Sequence, residues 1–238
     1  MASAKSSEAK QAKVEEQKPI LRDYLETILI CVIFVIFTRA FVFQQSKIPS
    51  GSMMDTLLIG DYIMVNRFIY APHSFGWEDG ILPLRTIKRG DVVVFKQPNT
   101  PEQDFIKRVV GLPGDVVELR DGYLHVNGEL VQERYIKDEH RWKLPQHNDP
   151  RVENFGPLRV SPDNFFVLGD HRNQSADSRY WGEVPRRLMK GRALLIWWSY
   201  NERGDPYPSL VERLKSWGSK VIHFIPRSRW SRCLKLIR

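Results

Sequence analysis

The sequence predicts a mainly β, antiparallel domain carried behind one N-terminal apolar helix. Three observations lead there: a single long apolar run near the N-terminus, a series of short β-prone runs beyond it, and Gly-Asp or Asp-Gly turn signals between those runs. Helical periodicity is scarce beyond the first run, so strands linked by turns and long loops carry the core.

Residues 1–20 are rich in Ala, Ser, Lys, Glu and Gln, a composition that leaves a chain disordered or as a frayed helix. Residues 28–37 are wholly apolar. Extended to 25–43, the run gives about 28 Å of helix at roughly 1.5 Å per residue, enough for a bilayer core. Glu26 and Arg39 fall near its two ends, where side chains reach water. A long charged leader and the lack of an Ala-x-Ala-like site after the run favour a retained anchor over a cleaved signal peptide. Lys5, Lys10, Lys13, Lys18 and Arg22 precede the run, whereas Lys47 stands alone soon after it. That asymmetry predicts a cytoplasmic tail (1–24), a transmembrane anchor (25–43) and an extracytoplasmic domain (44–238).

Within that domain the clearest strand signals cover 62–65, 92–96, 105–110, 116–119, 123–126, 165–168 and 193–200. Gly-Asp dipeptides at 60–61, 90–91, 114–115 and 169–170 punctuate them, and Asp121-Gly122 reads as a hairpin turn. The best helical pattern is 209–220, with Leu210, Val211, Leu214 and Trp217 on one face. Residues 71–88 and 138–159 read as long loops, either lids or surface insertions.

The net charge is +8, and residues 201–238 hold nine Lys/Arg against three Asp/Glu. Basic residues alternate there with Trp217, Phe224, Ile225, Trp230, Leu234, Leu236 and Ile237. The mixture fits either membrane lipid headgroups or a solvated basic face. Nucleic acid is not expected as a partner, because no binding motif accompanies the charge. Cys31 and Cys233 sit in contexts that give no disulfide framework. The chain has no HExxH, CxxC, phosphate-binding glycine loop or calcium-loop pattern, so no cofactor and no metal are expected. No G-x-S-x-G elbow marks a Ser/His/Asp serine.

Three segments carry chemistry-bearing residues. Ile48-Pro49-Ser50-Gly51-Ser52-Met53-Met54-Asp55-Thr56-Leu57 is either a linker or a bend that frees a serine hydroxyl. In Asp104-Phe105-Ile106-Lys107-Arg108-Val109-Val110, strand alternation places Lys107 between the apolar side chains of Phe105 and Val109. A lysine there is an edge gatekeeper or, if buried, a base of lowered pKa. The polar stretch from Gly169 to Gly182 is an exposed loop or a hydrogen-bonded frame.

Taken in order behind an anchor, these segments resemble the boxes of type I signal peptidases: P-S-x-S-M-x-P-T-L, Y-I-K-R-V-x-G-L-P-G-D and G-D-N-R-x-x-S-x-D-S-R. The run at 90–95 matches a further box, and the resemblance extends from about Lys47 to Trp198. Asp55 stands where proline is usual, His171 where asparagine is, and Phe105 where tyrosine is common. The resemblance implies a β catalytic domain of the signal peptidase type in the bacterial plasma membrane, cutting signal peptides from preproteins. It implies Ser52 as nucleophile, Lys107 as general base, and the Ser52 N–H with the Ser50 hydroxyl as oxyanion donors. Ser175 would orient the lysine amine, while Asp170 with Arg108 and Asp177 with Arg179 would brace the site without favouring charged Lys107. Ile48, Met53, Leu57, Ile63 and Ile106 would wall the substrate pockets. The alternative is an inactive anchored β domain that binds peptides or envelope proteins; it predicts loss of Ser52 or Lys107, and both are present.

Overall fold

The structure, a computed structural model, describes residues 20–38, 43–70, 85–142, 149–201 and 224–237. The chain divides into two units, Met1–Ala40 and Phe41–Arg238. The first contains helix α1 (Ile20–Phe37). It begins five residues before the predicted anchor and takes in Arg22, Asp23 and Glu26, with Arg22 paired to Glu26 at 2.9 Å one turn on. No described helix is long and apolar enough to cross a membrane. Residues 39–42 of the predicted span lie outside the described residues. Leu25, Ile28, Ile30, Ile33, Phe34 and Ile36 are all exposed.

The second unit is mainly β, and all its strand pairings are antiparallel. Its larger sheet runs β1 (Phe43–Lys47), β2 (Asp61–Asn66), β11 (Met189–Ser199), β3 (Val92–Lys96), β4 (Asp104–Gly111), β9 (Asn164–Leu168), β10 (Val184–Pro185), and β12 (Lys235–Leu236) adds to β11. The smaller sheet runs β7 (Glu129–Leu130), β6 (Tyr123–Val126), β5 (Val116–Arg120), β8 (Phe155–Arg159). All seven predicted strands are present. The edge strands β1, β7, β8 and β10 carried no usable pattern: Phe43–Lys47 is Phe-Gln-Gln-Ser-Lys, and β8 contains Gly156 and Pro157. The predicted loop 138–159 therefore contains a strand, and residues 143–148 of it lie outside the described residues. So do 71–84 of the other loop and the predicted helix at 209–220.

The Asp121-Gly122 turn has both residues at positive φ, as a two-residue hairpin of this hand requires. Gly60, Gly90 and Gly114 also have φ between 86° and 90°. In each case the following aspartate closes the turn: Asp61, Asp91 and Asp115 accept the amides of Leu58, Lys88 and Leu112 at 2.8, 2.9 and 2.8 Å. An Asx side chain bonded to nearby backbone is a standard way to fix such a bend.

Three apolar clusters fill the core. The one that matters for the site contains Ile48, Met53, Leu57, Ile63, Val65, Ile196 and Ile237, with Ile106 packed against it. The C-terminal segment is bound to the sheet rather than left as a free basic tail. Arg232 reaches the buried Asp61 carboxylate at 2.6 Å and the Thr56 carbonyl at 2.9 Å, and Arg229 donates to Ser199 Oγ at 2.7 Å. Its exposed large apolar residues are Phe224, Ile225, Trp230, Leu234 and Leu236, running from helix α3 (Phe224–Arg227) through the turns that follow to β12. Cys31 and Cys233 are both free thiols.

Candidate active site

The segment between β1 and β2 folds as a turn pinned from below. Met53 and Leu57 are fully buried, and the amides of Thr56 and Leu57 both bond the Met53 carbonyl, at 2.9 and 2.6 Å. Ile48, Met53, Leu57 and Ile63 thus form the floor of the turn rather than the predicted pocket walls; apolar side chains here lower free energy most by joining the core. Ser52 stands above that floor, half-buried, and its N–H donates to no described backbone carbonyl.

Strand β4 brings the lysine. It pairs with β3 along its first half, placing Lys107 opposite Val93, while β9 pairs only from Arg108 onward. Lys107 is 2% exposed, and its ammonium lies 5.7 Å from the Phe105 ring centre. Lys107 Nζ is 2.5 Å from Ser52 Oγ. Burial drives its pKa down to about 8, against the opposing pull of Asp177 and Asp170; Arg179 adds to the lowering. The two carboxylates therefore do act on the lysine, contrary to expectation, but desolvation outweighs them. At pH 7 about a tenth of the molecules carry a neutral Lys107 amine, against about one in 2,500 at an ordinary lysine pKa.

Arg108, next along the strand, points the other way and grips Asp170 with two hydrogen bonds of 2.9 and 2.7 Å. Thr56 Oγ1 donates to the same carboxylate at 2.5 Å, so the strand and the serine turn are tied through one aspartate. Asp177 caps the short helix α2 (Ser178–Trp181), binds Arg179 in a fork of 2.8 Å bonds, and accepts the Gly169 N–H at 3.0 Å. Burial works to raise the Asp177 pKa, but the Arg179 charge and these hydrogen bonds hold it below the ordinary carboxylate range. The polar stretch is thus a buried frame rather than an exposed loop.

Ser175 departs from expectation. Its Oγ is buried and has no hydrogen-bond partner among the described residues. The hydroxyl packs over Gly169, where a Cβ would collide with it and would also lie 2.6 Å from the Ser52 carbonyl oxygen. Lys107 Nζ bonds Ser52, and Ser175 Oγ makes no hydrogen bond to it. Ser50 is exposed and, with Pro49, Ser52, Phe105, Ile106 and Lys107, lines a cleft of about 570 Å³. Of the predicted pocket walls only Ile106 faces it.

Several contributors carried no sequence signal. Glu133 receives Arg172, Arg141 (3.4 Å) and the Tyr135 hydroxyl (2.7 Å), and Tyr135 lies under the Arg108 guanidinium at 3.8 Å. Glu133 stands in an irregular stretch, where one acidic residue has no periodicity to betray it.

A family model described as signal peptidase, peptidase S26, matches residues 21–198. The chain belongs to the signal peptidase family S26. A signal peptidase I of Pseudomonas aeruginosa is 35% identical over 87% of this chain and 81% of its own length. One from Leptolyngbya laminosa is also 35% identical, over 79% and 86% respectively. A crystal structure of a signal peptidase I from Enterococcus faecalis, 34% identical, aligns over 45% of this chain and 97% of that one with a TM-score of 0.40. Membership makes this S26 chain a serine peptidase.

Proposed function

We propose that this family member is a membrane-anchored endopeptidase that removes signal peptides from exported preproteins, with Ser52 as nucleophile and Lys107 as general base. The observation that carries the reading is the 2.5 Å contact between a buried lysine amine and a serine hydroxyl at a cleft. A serine hydroxyl needs a base within hydrogen-bond reach, and a lysine serves only when neutral. Burial supplies that neutrality. The neutral amine takes the Ser52 proton as Oγ attacks the scissile carbonyl, then delivers it to the leaving amine; water repeats the cycle on the acyl-enzyme. The Ser52 N–H, which bonds no described backbone carbonyl, and the exposed Ser50 hydroxyl two residues before it supply oxyanion donors.

The first half of β4, from Asp104 to Lys107, has no described strand neighbour on the side away from β3. An extended substrate adds there as a strand. Small residues at the first and third positions before the cut suit the shallow cleft beside Ile106. The apolar run of 25–43 supplies the anchor, with residues 1–24 in the cytoplasm and the β domain outside, as the Lys/Arg asymmetry requires.

The test is cleavage of a preprotein with alanine at both small-residue positions by the full chain in detergent. Ser52→Ala and Lys107→Ala are each expected to lower kcat by about a thousandfold or more. Near-parental activity in either would sink the assignment. The acid limb of the pH–rate profile should lie near pH 8, where Lys107 titrates; a limb near pH 5 would assign the base elsewhere. Protease digestion of the β domain from the outer face of intact membranes tests the orientation.

A further inference from the structure

Two of the three departures from the family pattern, Asp55 and His171, are joined in space through His140. Asp55 is nearly inaccessible, its side chain 1% exposed. One carboxylate oxygen accepts the Lys137 amide at 2.9 Å, and the other lies 2.6 Å from His140 Nδ1. The His140 ring packs on the His171 ring with centres 4.0 Å apart. His171 then holds the nucleophile turn at two points: its backbone N–H bonds the Ser52 carbonyl at 3.1 Å, and its Nδ1 lies 3.2 Å from the Gly51 carbonyl. The partners of both Nδ1 atoms are acceptors only, so each ring must carry its proton on Nδ1.

We propose that Asp55, His140 and His171 are positioning residues for Ser52: the carboxylate fixes one imidazole, that imidazole fixes the second, and His171 ties back the Gly51 carbonyl through its ring and the Ser52 carbonyl through its backbone N–H. This rests on Ser52 being the nucleophile. Proline at 55 would offer His140 no carboxylate, and asparagine at 171 has no ring to pack on His140, so the two departures are linked through one imidazole. With the Gly51 and Ser52 carbonyls held, the Ser52 peptide keeps one orientation, leaving its N–H for the oxyanion and its Oγ for Lys107. Small displacements of a reacting group cost large factors in rate, which is where such a brace acts.

The groups facing the pair are Asp55 from the serine turn, Glu139 at 3.7 Å from His140 Nε2, and Asn173 beside His171. Burial, then the neighbouring His140, hold the His171 pKa below its ordinary value. None of these rings touches Ser52 Oγ, which is occupied by Lys107; the histidines act through the backbone.

The test uses the full chain in detergent and the same preprotein. Ser52→Ala comes first, because activity in it would remove the underlying reading whatever the histidines do. With that variant silent, Asp55→Ala and His140→Ala should each lower kcat by about tenfold and leave KM within about twofold. Asp55→Asn should recover most of the rate, since its amide oxygen still accepts from His140 and from the Lys137 N–H. The Asp55→Ala/His140→Ala double variant should be no slower than the slower single, because both break one chain of contacts. An unchanged kcat in the singles, additive losses in the double, or an Asp55→Asn as slow as Asp55→Ala would each overturn the proposal. Ring ¹⁵N spectra supply a readout independent of turnover and of the Ser52 reading. Both rings should be Nδ1-protonated at pH 8, and His140 should lose that preference in Asp55→Ala; an Nε2-protonated His171 in the parent overturns the proposal.

Discussion

Four Gly-Asp dipeptides among the described residues look alike in the sequence, yet three build turns and the fourth ties the Ser52 turn to strand β4. Asp61, Asp91 and Asp115 each follow a glycine of positive φ and spend one oxygen on an amide three residues back. Gly169 lacks the positive φ, and Asp170 spends nothing on its own turn. Its two oxygens go instead to Arg108 and Thr56, 62 and 114 residues away. Gly169 is selected for closeness: its bare Cα lets Ser175 and the Ser52 carbonyl approach together. The same two letters therefore serve local bending in one setting and long-range assembly in the other. Only the partner, not the dipeptide, distinguishes them.

The largest effect that would break this contrast is at Asp170. Asp170→Ala leaves Arg108 buried without its counter-ion, and should cost about 3–5 kcal/mol of unfolding free energy by chemical denaturation. The milder Asp170→Asn should move the acid limb of the pH–rate profile below pH 8, because Asp170 helps to keep Lys107 protonated. Asp115→Asn should leave that limb in place.

Lys107 sharpens the contrast from the opposite sign, as a buried charge with no carboxylate bound to it. Its pKa of about 8 in the folded chain lies below the 10.5 of the unfolded one. The unfolded state therefore binds more protons between those values, and the parent gains stability as pH rises through them. Lys107→Met should be inactive but more stable than the parent by up to about 3 kcal/mol at pH 7, with the advantage gone by about pH 10.5. Denaturation at the two pH values checks it. Smallest of all, Gly90→Ala meets no atom within 4 Å but is held at φ 90°, so it should cost about 1 kcal/mol with kcat unaltered.

Much of this was legible in the sequence because it is periodic or local. The apolar strands β3, β4, β5 and β9 announce themselves by β-branched and aromatic runs, and Ser52 and Lys107 by motif order. What stayed hidden depends on contacts across the chain. Ile48, Met53, Leu57 and Ile63 read as pocket walls because they flank the serine, whereas packing turned them into its floor. Ser175 read as the residue that orients the lysine amine by a hydrogen bond, but its Oγ lies against Gly169 instead. Glu133 gathers Arg172, Arg141 and Tyr135, a convergence no spacing encodes. The apolar run at 28–37 lies inside α1, but the helix also takes in Arg22 and Asp23, which the prediction left in the tail, as well as Glu26.

The floor beneath Ser52 includes Ile237, 185 positions further along the chain, and Arg232 clamps the Thr56 carbonyl in the same turn. During synthesis, the ribosome must therefore deliver residues 224–237 before the serine turn has its full support. Until then the nascent chain holds Ser52 on an unfinished platform, short of the packing of Ile237 and the Arg232 bond to the Thr56 carbonyl.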